Sequence, residues 1–175
     1  ISSGLVGSEM CIRDSLHRTQ LKHPMCDEII NQYPIDDYEI IENITGLIPN
    51  NQKIWYQKHM AHHINNFDSL SWILNYKNCF IIRNPKYVIN SYIKKNELNT
   101  VEDLGYVQQF KLMNFLIEND ASFIAIETDS LLKNPKKILT LWCEYLGINF
   151  SNSMLKWKKG YHPNDGIWAK HWYNN

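Results

Sequence analysis

The sequence predicts an α/β sandwich built on a parallel sheet. Strand-like and helix-like segments alternate along the chain, which is the pattern of βαβ units. The segment "CFII" is a continuous apolar run, as in a strand covered on both faces rather than one that alternates with solvent. Ligands in such sheets bind at the carboxyl ends of the strands. Polar groups come after three predicted strands in turn: Lys58 and His59, then Arg83, then Glu127 to Asp129.

His23 to Tyr33 reads as a short helix. Asp36 to Gly46 is a stronger one, with Ile40, Ile41 and Ile44 on one face and Gly46 at the position after the last turn. Lys53 to His59, "KIWYQKH", is rich in strand formers. Met60 to Leu74 has helical spacing, with Ile64, Phe67, Leu70, Ile73 and Leu74 on one side. Cys79 to Ile82 is the buried strand. Asn84-Pro85 then opens a helix, because Asn is a good N-cap and Pro suits the first helical position. Val88, Ile89, Tyr92 and Ile93 form its apolar face. Thr100 and Asp103 have the spacing of a capping pair for a long helix reaching Glu118. Ser122 to Glu127 is a further strand, Asn134-Pro135 repeats the cap and proline, and Gly147 ends that helix before a Trp/Tyr/Gly-rich tail.

At 175 residues the chain has the length of one domain, and roughly 70% of its unfolded surface can be buried at that size. Apolar residues make up 44% and charged residues 21%, both ordinary for a globular protein. Lys+Arg and Asp+Glu both number 18. That balance argues against a nucleic-acid or membrane-surface partner, which calls for a basic excess. Cys11, Cys26, Cys79 and Cys143 form no C-x-x-C pair, so a cysteine zinc site is not expected. Cys79 and Cys143 lie on apolar faces and read as buried thiols of a reducing, cytoplasmic compartment. No run of 18 apolar residues and no basic-then-apolar leader is present.

The ends read differently. "ISSGLVGSEMCIRDS", residues 1–15, has no helical or strand period and looks like a translated sequencing adapter. The alternative is a native disordered terminus. It is set aside as a tag would be, which leaves residues 16–175 as a partial domain. The stop at "GIWAKHWYNN", amid aromatics, fits a second truncation.

"NCFIIRNPKYVINSY", Asn78 to Tyr92, concentrates the chemistry. An Arg at the end of a buried strand, followed at once by a capped helix, makes an anion site. Helix N-termini present N–H groups and partial positive charge, and the planar guanidinium matches phosphate geometry. Ser91 falls two turns into the helix on the side of Tyr87 and Lys95, where a hydroxyl meets a phosphate lying along that side. The bland alternative is that Arg83 pairs with Glu127 at the sheet edge and Ser91 is an ordinary helical serine.

"FIIRNPKYVINSY" resembles the 3′-phosphate-binding segment of the sulfotransferases that use 3′-phosphoadenosine-5′-phosphosulfate (PAPS). That segment runs apolar strand, Arg-(Asn/Asp/His)-Pro, then Ser eight residues after the Arg. "ETDSLLKNPKKILTLWCEYLGINF", Glu127 to Phe150, resembles the family's E-D-L-L-x-x-P … L-G-(I/L)-x-F block. "QKHMAHHI" and "WKKGYHPNDGIWAKHWY" are similar to a bacterial sulfotransferase-like branch. The resemblance covers Leu16 to Tyr173. It implies a three-layer sandwich with a central parallel sheet, P-loop-NTPase-like and truncated. It also implies PAPS as co-substrate with no metal, its bisphosphate (PAP) as product, and a small-molecule hydroxyl or amine acceptor. Arg83 and Ser91 take the 3′-phosphate roles. One departure is serious: nothing in residues 1–54 supplies the family's N-terminal phosphosulfate loop, so the fragment keeps the fold with its activity in question.

Sulfuryl transfer needs a base, cations for the oxygens and in-line geometry. By resemblance Lys58 takes the lysine role. His59, His62 and His63 compete for the base, with His62 first, His63 second and His59 set aside. Packing roles for at least two of the three are the alternative. A metal held by His59 and His63, four apart on a helix, is the minor one, since no third ligand is near. Lys86 and Tyr87 come after the proline and either line the nucleotide or are solvated. Lys159 and Gly160, after Lys158, resemble a C-terminal nucleotide-contacting loop, although "KKGYHPNDG" departs from the family's basic-Lys-Gly form. Trp157, Trp168, Trp172 and Tyr173 read as core rather than as an acceptor wall. Two other classes stand beside the sulfotransferase: a kinase-like nucleotide enzyme, and a non-catalytic domain of the same fold.

Overall fold

The computed structural model describes residues 2–3, 37–48, 52–64, 69–94 and 96–156. The predicted helix at 23–33, the residues Lys159 and Gly160, and the tail aromatics from Trp157 onward lie outside them. The chain divides into two compact units, Ile1–Ser69 with Lys159–Asn175, and Leu70–Lys158.

In the first unit, β1 (Ser2–Ser3) runs parallel to β2 (Trp55–Tyr56), with Ser2 beside Trp55 and Ser3 beside Tyr56. The expected strand over 53–59 is thus two residues long. Helix α1 (Asp37–Thr45) forms where the isoleucine spacing places it. Ile40 and Ile44, one turn apart, are fully covered. Gly46 ends α1 without the left-handed φ expected of a terminal glycine; among the described glycines only Gly105 and Gly147 adopt it. Its contribution is space, because a Cβ there stands 3.0 Å from the Glu42 carbonyl oxygen. The predicted helix over 60–74 does not form among the described residues. A 3-10 turn at Ala61–His63 and another at Ser71–Asn75 stand at its two ends. The apolar spacing is real, and Ile64 and Ile73 are buried. The segment also carries Asn65, Asn66, Asp68, Ser69 and Ser71, residue types whose short polar side chains compete with helical hydrogen bonds.

In the second unit, β3 (Asn78–Ile82) and β4 (Phe123–Glu127) pair in parallel, in register from Asn78 beside Phe123 to Ile82 beside Glu127. Phe80 meets Phe123 edge to face, with ring centres 5.4 Å apart. Phe80, Ile126, Leu112, Leu116 and Cys143 form the core. The architecture is mixed α/β with a small parallel sheet. Two strands make up the described sheet, and Ile81 is 42% exposed. Strand β3 is therefore not covered on both faces, and its apolar run overstates its burial.

Helix α2 (Pro85–Tyr92) starts as its sequence dictates. Asn84 Oδ1 accepts the Lys86 amide at 3.0 Å, and Pro85 occupies the first turn. Asp103 accepts from the amides of Asn99 and Thr100 and from the Thr100 hydroxyl. The chain does not continue from there as one long helix. A 3-10 turn, Glu102–Leu104, ends at Gly105 with φ 76°, and α3 (Tyr106–Glu118) starts anew. Strand β4 passes directly into a short helix, α4 (Thr128–Lys133), which the sequence pattern does not predict. Helix α5 (Pro135–Leu146) has its N1 proline, yet Asn134 makes no side-chain cap. Gly147, at φ 71°, closes α5: its amide bonds the Glu144 carbonyl, and the Ile148 amide reaches back to Cys143.

Candidate functional site

The carboxyl end of β3 is held by three side-chain donors on three successive carbonyls. Gln109 Nε2 donates to Ile81 O at 3.0 Å, Thr128 Oγ1 to Ile82 O at 3.1 Å, and the Tyr106 hydroxyl to Arg83 O at 2.6 Å. Arg83 is exposed at this end, its guanidinium carbon 6.0 Å from the Tyr87 ring centre. Glu127, the partner that the bland alternative gives to Arg83, accepts the Ser130 hydroxyl. Burial pushes the Tyr106 phenol up, while the Arg83 charge pulls it the other way.

The first turn of α2 is not the amide cradle that its position predicts. Pro85 has no N–H, the Lys86 amide is taken by Asn84 Oδ1, and the amides of Tyr87 and Val88 both bond Asn84 O. An anion here meets the guanidinium and side-chain donors rather than free backbone amides. Ser91 is exposed on α2, one turn beyond Tyr87. Tyr87 and Ser91 thus share one side of α2, about 6 Å of rise apart, and the Arg83 guanidinium, before the helix, lies against the Tyr87 ring.

In the other unit, Lys58 is exposed between β2 and the Ala61–His63 turn. His59 is half-buried. Its Nε2 lies 3.1 Å from Gln57 Oε1, and Gln57 Nε2 donates to Ile44 O at 2.7 Å. Because that amide nitrogen is committed, Gln57 presents an acceptor, and the His59 ring carries its proton on Nε2. Burial lowers the His59 pKa to about 4, so the ring is neutral across the physiological range. His62 is half-buried, and His62 and His63 share the 3-10 turn. Met60, between His59 and that turn, is extended, at φ −91° and ψ 124°. The helix-face pairing of His59 with His63 that a metal needs is therefore not formed. Among the described residues no group of three or more His, Cys, Asp or Glu is placed to hold a metal ion. Nor is any described helix long and apolar enough to cross a membrane. Cys79 and Cys143 are free thiols. Burial pushes Cys79 up to about 11, and the Cys143 thiol lies 3.7 Å from Met154 Sδ. An open groove of about 530 Å³ along Lys133 to Leu141 contains none of the predicted site residues.

A family model described as a sulfotransferase domain matches residues 6–175. The chain belongs to the sulfotransferase domain family. Two curated relatives from Arabidopsis thaliana are similar to this sulfotransferase-family chain. Branched-chain-amino-acid aminotransferase-like protein 2 is 27% identical over 158 residues, covering 90% of the chain. Protein 1 of the same name is 28% identical over 161 residues, covering 91%. The chain spans only 28% of the length of either relative. No solved structure matches it.

Of the residues expected in the sulfotransferase site, Arg83 lies just before α2 against the Tyr87 ring, and Ser91 is one turn beyond Tyr87 on α2. The fold also sets Arg83 and Glu127 to Asp129 at the same end of one sheet. Lys58, His62 and His63 belong to the other unit. Sequence reasoning does not find the donors to the end of β3, Gln109 and Thr128 on Ile81 and Ile82, nor Tyr106 on Arg83. Their bonds span 28, 46 and 23 residues, and no local pattern encodes them.

Proposed function

We propose that this chain is a PAPS-dependent sulfotransferase domain that transfers a sulfuryl group to a hydroxyl or amine of a small-molecule acceptor. The observation that carries the reading is Arg83: an exposed guanidinium with no carboxylate bonded to it among the described residues, at the carboxyl end of a parallel strand, in a chain of the sulfotransferase family. A phosphate dianion fits such a group, because a charge-assisted fork is roughly twice as strong as a neutral hydrogen bond. Arg83 and Ser91 hold the 3′-phosphate, with Tyr87 between them. PAPS supplies the sulfuryl group. Lys58 stabilises the developing charge on its oxygens, and His62, with His63 as second candidate, accepts the acceptor's proton. Lys159 and Gly160 contact the nucleotide. The domain works with no metal, in the cytoplasm.

The test is the affinity of the chain for adenosine 3′,5′-bisphosphate against adenosine 5′-monophosphate, by calorimetry. The bisphosphate is expected to bind more tightly, and Arg83→Ala to remove roughly 10- to 100-fold of that preference, the worth of a hydrogen bond to a charged group. Ser91→Ala removes a smaller part. Equal affinity of the unmodified chain for the two nucleotides would sink the reading.

A further inference from the structure

We infer that Tyr106 is a positioning residue for the nucleotide site: its hydroxyl fixes the peptide that carries Arg83, and so the discrimination between 3′-phosphorylated and 3′-unphosphorylated nucleotides. This rests on the reading of Arg83 as the 3′-phosphate ligand.

The β3–β4 ladder stops just short of Arg83. Its last register pair is Ile82 with Glu127. The carbonyls of Ile81 and Ile82 belong to residues inside the ladder, and each also receives a side-chain donor. Arg83 lies one residue beyond it. The Arg83 carbonyl receives the shortest of the three bonds, from the Tyr106 hydroxyl. A carbonyl only accepts, so the phenol donates.

The peptide between Arg83 and Asn84 sets two things at once. Rotating it changes ψ of Arg83 and φ of Asn84, which stands at −56°, and so the direction in which α2, with Tyr87 and Ser91, leaves the strand relative to the Arg83 side chain. Tyr106 reaches it because Gly105 takes a left-handed φ of 76° and starts α3 at that point, a conformation that glycine adopts without steric cost. The ring is half-buried, so the donor is held by packing as well as by its bond.

The experiment is Tyr106→Phe, which keeps the ring and removes only the hydroxyl. The ratio of the two nucleotide affinities is measured alongside the thermal midpoint. Tyr106→Phe is expected to weaken adenosine 3′,5′-bisphosphate about fivefold, the range of one net hydrogen bond, and to leave adenosine 5′-monophosphate unchanged. In an Arg83→Ala background the same change is expected to do nothing further, because coupled residues are not additive. Thr128→Val, which removes the donor to the neighbouring carbonyl, is expected to lower the midpoint without moving the ratio. Three results overturn the inference: equal loss for both nucleotides, full additivity with Arg83→Ala, or an equal ratio change in Thr128→Val. If the unmodified chain shows no 3′-phosphate preference, the assignment of Arg83 fails first and the role of Tyr106 fails with it. If that preference is present and Arg83-dependent but Tyr106→Phe matches the wild type, Tyr106 alone is wrong.

Discussion

The Arg83 guanidinium carbon lies 6.0 Å from the centre of the Tyr87 ring. Tyr87 is the third residue of α2, and Arg83 lies just before the Asn84 cap, so the ring meets the arginine from the first turn of the helix. A cation over an aromatic face gains roughly 0.5–1 kcal/mol at an exposed site. The interaction restricts the guanidinium to the side of the helix that also carries Ser91. Tyr87→Leu keeps an apolar side chain without the ring's charge distribution. It is expected to weaken adenosine 3′,5′-bisphosphate by about two- to fivefold, while the helical circular dichroism stays unchanged. Unaltered affinity would mean that the ring does not orient the guanidinium.

The cap at Asn84 separates helix stability from charge recognition. Its side chain bonds the Lys86 amide, and its carbonyl takes the amides of Tyr87 and Val88. Asn84→Ala is expected to cost about 1 kcal/mol in a denaturant melt, and Asn84→Asp a few tenths at most, because the carboxylate caps as well as the amide. A loss in Asn84→Asp as large as in Asn84→Ala would show that the amide nitrogen, not the oxygen, does the holding.

His59 gives a pH dependence whose sign is fixed. Burial lowers its pKa to about 4, while an unfolded histidine titrates near 6.5. The unfolded chain therefore binds a proton first as the pH drops, and the folded chain loses stability between about 6.5 and 4. The full shift corresponds to about 3 kcal/mol at most. The difference in stability between the native chain and His59→Gln, tracked by denaturant melts from pH 7.5 to 4, should shrink across that window. A constant difference would place the ring in water.

Part of this structure is written locally. Asn84-Pro85 encodes a cap and a first turn within two residues, so the start of α2 is legible. Gly147 and the isoleucines of α1 are legible for the same reason. The Asp103 bonds are legible too, but the left-handed Gly105 inside the "DLGY" run converts the expected long helix into a turn plus α3. The segment over 60–74 shows the limit of apolar spacing: the period is helical, yet its described ends are 3-10 turns. The Tyr87-to-Ser91 spacing is legible because both residues lie in α2. The Tyr106, Gln109 and Thr128 bonds to β3 join residues that only the folded chain brings together. The His59–Gln57–Ile44 relay is hidden for the same reason, although its first two members are two residues apart.

Gly147 and Gly46 both end helices, and they predict opposite causes for the same substitution. At Gly147 the φ of 71° is left-handed, and a Cβ there would meet nothing within 4 Å. Gly147→Ala therefore costs about 1–2 kcal/mol from backbone strain alone, and Gly147→Asn less, since asparagine tolerates that conformation. At Gly46 the φ is not left-handed, and a Cβ would stand 3.0 Å from the Glu42 carbonyl oxygen. That neighbour is backbone and belongs to the same helix. Gly46→Ala and Gly46→Asn should then be similarly destabilising, with no recovery by asparagine. Denaturant melts of the four variants separate the two causes: recovery at Gly147 only supports both assignments, and recovery at Gly46 shows that the terminal turn of α1 relaxes around a side chain.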